Sequence, residues 1–313
     1  MLHERRERGL GLPFALGAGV EDDGGLMYST LSPGAIGVKT KDLSDLVAKA
    51  KSAKFKGAEF SVGEAADLID REGVAAVHGL FTKGGVIAAG WGLPTNWRGD
   101  EAAWRADLEK LPRLAKAGAA LGAKRTFTWI LSWDDNRPDA ENWKFHVDRF
   151  TPIARILADH GVGVGLEFLG PKTLYKNKAH EFIHSLERMV ELCVAIGPNA
   201  GLLLDCWHWH ASGGTVEAIR KLTPERVVYV HVNDAPSGVA LDDLVDNRRC
   251  LPGETGVIDI AGFLQALKAI GYDGPVTPEP FKKELNALPS DEERLRVVSA
   301  AMADIFRKAG IPA

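Results

Sequence analysis

From Met27 to the end of the chain, short apolar runs of strand length alternate with longer stretches whose apolar residues recur at three- and four-residue steps. No other feature limits the fold as tightly. The strand candidates are LMYSTLS (26–32), GAEFSV (57–62), VAAVHGL (74–80), KRTFTWI (124–130), VGVGLEF (162–168), GLLLDCW (201–207), VVYVHVN (227–233) and GPVTPE (274–279). Between them lie helical patterns such as DLSDLVAKAKSA, EAAWRADLEKLPRLAKAGAALG and SLERMVELCVAIG, several of them ending on glycine, the residue suited to a left-handed helix C-cap. Nearly continuous apolar strands point to a parallel sheet covered on both faces. Eight of them, each followed by a helix, is the number that closes a (β/α)8 barrel. A doubly wound open sheet is the competing α/β architecture, but no G-x-G-x-x-G follows the first strand. With no internal repeat or linker in view, the expectation is a single-domain barrel over residues 27–313.

The N-terminus begins MLHERRERGLGLPFALGAGVEDDGG. Its charged start mixes acid with base, and the short apolar stretch offers no clear cleavage site, so residues 1–26 read as a poorly ordered extension rather than an export signal. A net charge of −4 does not supply the basic footprint of a nucleic-acid-coating protein. No apolar run approaches the roughly 18 residues that span a bilayer. Cys193, Cys206 and Cys250 are too few and too scattered for a disulfide framework or a thiolate zinc site. The expected location is cytoplasmic, and the expected partner is a small molecule rather than nucleic acid or membrane.

Four of the last strand candidates end on, or carry near their ends, a residue able to bind a metal: Glu167, Asp205, His231 and Glu279. Their separations of 38, 26 and 48 residues each fit one strand–helix unit. In barrels of this kind functional groups gather at the C-terminal ends of the strands, so the four are expected to converge on one rim. A charge at the mouth of an apolar core is costly unless paired or metal-bound. Taken singly, each has a plainer reading, as a helix cap or a hydrogen-bonded core histidine. Taken together, three carboxylates and one imidazole make a hard, oxygen-rich set, suited to one divalent cation: Mn2+ ahead of Mg2+, Co2+ or Zn2+. Asn233 and Asp234 follow His231 either as ligand-orienting groups or as loop-starting residues.

The segments GLEFLGPKT, LLLDCWH, VHVNDA and VTPEPF, with DNRRCLPGETGVIDIAGFLQALKAIGYDGPV (246–276), resemble the xylose isomerase-like TIM-barrel proteins. That superfamily includes keto-sugar 3-epimerases, inosose isomerases and dehydratases, and endonuclease IV. The resemblance implies that Glu167, Asp205, His231 and Glu279 are the metal ligands and that His208 touches a substrate oxygen or a second metal. It also implies a substrate-facing arginine at Arg249, with Arg248 as the rival register, and a homodimer or homotetramer. The chain departs from the ketohexose epimerases where FLGPKTLYKN follows Glu167 without a further glutamate.

The implied chemistry is abstraction of a proton alpha to a carbonyl through an enediolate, with Glu167 and Glu279 as the proton-transferring pair. Return of the proton gives isomerisation or epimerisation on a keto-sugar or inosose; loss of a beta group makes a lyase acting on an inosose or keto-glycoside. A DNA-repair enzyme of the endonuclease IV type would need more histidines than the loop DAPSGVALDDLVDNRRC supplies. A non-catalytic sugar-binding protein would not need all four ligands. Further candidates for the pocket are Trp133, Trp207 or Trp209 as stacking surfaces, with Glu59 and His78 at the ends of strands two and three. Residues 82–100 read as a long glycine-rich loop, a candidate lid.

Overall fold

The computed structural model of the chain describes residues 26–312, so the expectation for the N-terminal extension falls, apart from Leu26, outside the described residues. Eight strands form the barrel: β1 Tyr28–Leu31, β2 Gly57–Glu59, β3 Ile87–Gly92, β4 Arg125–Ile130, β5 Gly163–Phe168, β6 Ala200–Asp205, β7 Val227–Val232 and β8 Pro275–Pro278. They are parallel and close in the order β1-β8-β7-β6-β5-β4-β3-β2. The helices are α1 Leu43–Ser52, α2 Val62–Glu72, α3 Val74–Gly84, α4 Glu101–Ala120, α5 Asp139–Ala158, α6 Leu186–Ile196, α7 Cys206–Ala211, α8 Val216–Arg220, α9 Ile260–Ala269 and α10 Asp291–Lys308. Several start on a capping side chain: Asp42, Ser61, Asp100, Asp205, Asp259 and Ser290 each accept a hydrogen bond from a backbone N–H two or three residues on. Among the described residues, no helix is long and apolar enough to cross a membrane.

Seven of the eight expected strands are present, with ends trimmed by a few residues. The third is not where the apolar pattern put it. VAAVHGL lies within helix α3, and the third strand is IAAGWG, inside the stretch expected to be a loop. A short apolar run reads equally as strand or buried helix, and here Val77 and Phe81, four apart, are the buried pair. Four of the six residues of the true strand are alanine or glycine, because the barrel interior leaves little room there. A Cβ on Gly90 would sit 2.7 Å from the Tyr229 ring.

Strand register decides which side chains enter the barrel. Phe127 on β4 and Tyr229 on β7 belong to non-adjacent strands, yet their ring centroids are 4.3 Å apart, so both point inward. Residues two further along, Trp129 and His231, share that face. Trp129 pairs with Glu167, and Asp205 pairs with His231, which pairs in turn with Thr277. Glu279, two beyond Thr277, extends the ladder by donating its N–H to the Val232 carbonyl at 3.0 Å. Aromatic rings thus plug the barrel below a rim of acids and one imidazole.

Outside the barrel, His146 of α5 is buried among Trp97, Phe145, Phe150 and Phe182 and donates Nδ1–H to the Asn142 carbonyl at 2.7 Å. Burial, helped by Arg137, lowers its pKa to about 4. Above the unfolded value of roughly 6.5 both states are neutral; below it the unfolded chain takes a proton that the folded chain refuses. Stability therefore falls as pH drops from about 6.5 to 4, by on the order of 3 kcal/mol from this residue. Urea unfolding of His146→Phe across that range is expected to give a flatter acid limb than the parent.

Candidate metal centre

Glu167 ends β5, Asp205 ends β6, His231 lies one residue from the end of β7, and Glu279 follows β8. One donor atom from each lies within 4.8 Å of every other. Donors at about 2.0–2.2 Å from a shared ion are at most about 4.4 Å apart, so small side-chain movements close this set around a cation. His231 Nδ1 is 3.3 Å from Glu279 Oε2 and 3.7 Å from Glu167 Oε1. Asp205 is fully buried and serves twice over. Its Oδ1 accepts from the Trp207 N–H at 2.7 Å, capping α7, and from Asn233 Nδ2 at 3.1 Å, while its Oδ2 accepts from Arg249. The cap and the site are the same carboxylate.

The donor set fits a cation. Glu167 Oε1 and both ring nitrogens of His231 are buried without a hydrogen-bond partner, an expensive state that a bound ion relieves. Arg249 Nη1 lies 2.9 Å from Asp205 Oδ2 and 3.0 Å from Glu279 Oε2. Three carboxylates against one guanidinium leave two negative charges to be balanced. Without a metal, burial pushes the Glu167 carboxyl up to about 8. Burial acts the same way on Glu279, but His231 and Arg249 outweigh it and hold that group below the usual carboxylate range. Burial opposes a charge on His231, yet Glu279, Glu167 and Glu59 together keep its pKa well above an ordinary imidazole. The metal-free site therefore draws in a proton.

Arg249, and not Arg248, turns inward. It is buried while Arg248 is exposed, and Asp246 anchors it through its carbonyl on Nε and its carboxylate on Nη2, both at 2.8 Å. Asp246 escaped the sequence reading; its place three residues before Arg249 was the available signal. His208 is buried, with the Gly170 N–H directed at its Nδ1 at 3.2 Å. Its Nε2 lies 3.2 Å from the Arg249 Nη2 donor and 3.7 Å from Asp246 Oδ1. Burial, reinforced by Arg249, lowers its pKa to about 3, so the ring is neutral. Gly170 permits this approach, since a Cβ there would meet the His208 carbonyl oxygen at 2.1 Å.

Asn233 and Asp234 divide the roles left open between them. Asn233 holds Asp205, whereas Asp234 accepts from the N–H groups of Ala235, Thr255, Gly256 and Ile258 and so ties down the loop that follows Arg249. Trp207 is buried, with its ring centroid 5.5 Å from the Arg249 guanidinium. Trp209 packs on Phe263 in the outer core. Trp133 lies in a two-residue strand paired with His180–Glu181, and the Lys178 ammonium sits 3.4 Å from its ring centroid. His78 corrects the expectation that it ends a strand facing the pocket. It is on α3, which packs against α1, α2 and α4 in the outer layer. Trp129 was missed. It is 41% exposed although it faces into the barrel beside Glu167, which leaves an aromatic surface at the mouth; its two-residue spacing from Phe127 was the signal.

Known proteins share this arrangement of elements. The inosose isomerase of Bacillus subtilis (strain 168) is 29% identical over 191 residues, 60% of this chain and 64% of that protein. The chain therefore spans just under two thirds of the length of this relative. The 3-dehydroshikimate dehydratase of Pseudomonas putida is 38% identical over 95 residues, 30% of this chain and 15% of the relative. The structure of a xylose isomerase domain protein from Alicyclobacillus acidocaldarius subsp. acidocaldarius matches with a TM-score of 0.79 at 30% identity, covering 91% of this chain and 99% of the other. The family described as xylose isomerase-like TIM barrel matches residues 47–303. With the closed eight-stranded barrel, that match means that the chain belongs to the xylose isomerase-like TIM-barrel family.

Proposed function

We propose that the protein is a divalent-metal-dependent isomerase or epimerase acting on a keto-sugar or inosose through an enediolate. The observation that carries this reading is the convergence of Glu167, Asp205, His231 and Glu279 with unpartnered, buried donor atoms among them. A bound cation, Mn2+ in preference to Mg2+, Co2+ or Zn2+ because the donors are mostly carboxylate oxygens, supplies Lewis-acid polarisation of the substrate carbonyl. The chain's own groups do the rest. One of Glu167 and Glu279 removes the proton from the carbon alpha to the carbonyl, and the other returns it. His208, held beside Asp205 and Arg249 with its Nδ1 facing the Gly170 N–H, contacts a substrate oxygen. Arg249 steadies Asp205 and Glu279 and orients a substrate hydroxyl from the same position. Trp129 offers its exposed face to the apolar side of the ring.

A second reading, a lyase that expels a beta group from the same enediolate, is favoured by the likeness to a 3-dehydroshikimate dehydratase. Incubation with ketoses, inososes and keto-glycosides in D2O tests both. Deuterium alpha to a carbonyl with mass otherwise retained indicates isomerase or epimerase chemistry, and loss of water or aglycone indicates the lyase. Absence of exchange with every class, in protein loaded with Mn2+, would falsify the enediolate mechanism. We infer a cytoplasmic location from three unpaired cysteines and a small carbohydrate or cyclitol as the partner, with a homodimer or homotetramer as the working assembly.

A further inference from the structure

We infer that Glu59 is a positioning residue that holds the far nitrogen of His231 and so aims its near nitrogen at the cation. The inference rests on the reading of Glu167, Asp205, His231 and Glu279 as ligands of a divalent ion. Glu59 ends β2, three strands around the barrel from β7, yet its Oε1 reaches to 3.7 Å from His231 Nε2. Glu167 and Glu279 stand against the other ring nitrogen, Nδ1. The two edges of an imidazole point in divergent directions, so Glu59 lies behind the ring and outside the four-donor cluster.

Both atoms of this pair are buried, and neither has a hydrogen-bond partner. Two aromatic rings, Phe127 and Tyr229, meet the imidazole edge-on at 81° and 90°. The Tyr229 hydroxyl is engaged with Thr277 Oγ1 at 3.3 Å. When Nδ1 gives its lone pair to a cation, the proton of the neutral imidazole must sit on Nε2, facing the Glu59 carboxylate. Closing 3.7 Å to an ordinary hydrogen-bond length takes a shift of under about 1 Å. A carboxylate behind a ligating histidine fixes the tautomer and ring orientation and raises the basicity of the ligand. Glu59 thus sets a buried carboxylate oxygen beside a cluster that already carries excess negative charge, in the place where a ligating imidazole presents its N–H.

The test uses metal-stripped parent, Glu59→Gln and Glu59→Leu proteins titrated with Mn2+ against a competing chelator, with the melting temperature of each metal-free protein. The parent is expected to bind about one Mn2+. Glu59→Leu should weaken that affinity by about 10- to 100-fold, the scale seen for such supporting partners. Glu59→Gln should fall between, since its amide oxygen still accepts from Nε2–H without carrying the charge. The metal-free Gln variant should melt near the parent, because its amide oxygen still accepts from Nε2–H. Parent-like affinity in both variants overturns the inference, and so does a Gln variant whose metal-free melting temperature drops along with affinity, which marks a structural role. If the Leu variant does not fold, Glu59→Gln decides, and an unchanged Kd there overturns it. Failure of the parent itself to bind Mn2+ sinks the four-ligand reading, and this inference with it.

Discussion

Glu167→Gln and Glu279→Gln are each expected to fold, retain some cation and lose turnover by at least about 100-fold, the usual scale of general acid–base catalysis. Glutamine keeps the size of the side chain and one oxygen able to reach the cation, but its amide can neither take up nor give back a proton near neutral pH. The two variants should part in isotope exchange. The one lacking the base leaves substrate unlabelled in D2O. The one lacking the group that returns the proton still exchanges deuterium without forming product. Near-parent turnover in both, with metal bound, would move the proton transfer to His208. Single-turnover measurements on protein with a verified metal content keep chemistry separate from loading.

The second large effect concerns the cation itself. Purified parent protein should carry about one divalent ion per chain, and Asp205→Asn or His231→Ala should weaken its binding by on the order of 10²- to 10³-fold, since removing one partner from a buried charged cluster leaves the others uncompensated. Asp205→Asn is the more informative of the two. Its remaining oxygen can still accept from the Trp207 N–H that caps α7 and from Asn233 Nδ2, but its amide nitrogen then faces the Arg249 donor. Metal analysis after dialysis against chelator, with calorimetric titration of Mn2+, checks both variants. Parent-like affinity in the pair would rule out the shared four-donor site.

The acids at the barrel mouth were legible because each follows a buried apolar run. A carboxylate or imidazole placed after LLL or VVYV costs free energy that only a function or a partner offsets, and its distance from the next such residue matches one strand–helix unit. The strand at 87–92 was illegible for the opposite reason. At Gly90 no side chain stands because the Tyr229 ring fills the barrel there, so beyond Ile87 the strand carries neither β-branched residues nor alternation. The helix over 74–84 borrowed the look of a strand from VAAV, of which only Val77 is buried, against neighbouring helices, information held elsewhere in the chain.

By itself, then, the sequence determined the alternation of strands and helices, hence the barrel, and the identity of four donors at its C-terminal rim, because period, burial and charge are local properties. Tertiary structure alone decided which of two adjacent arginines enters the site, that Trp129 rather than a later tryptophan opens its face at the mouth, and that Asn233 orients a carboxylate while Asp234 clamps a loop. It alone brought Glu59 behind His231 across 172 residues of chain. Those outcomes depend on strand register and on closure of the barrel between β1 and β8, which bring together residues that no local pattern relates.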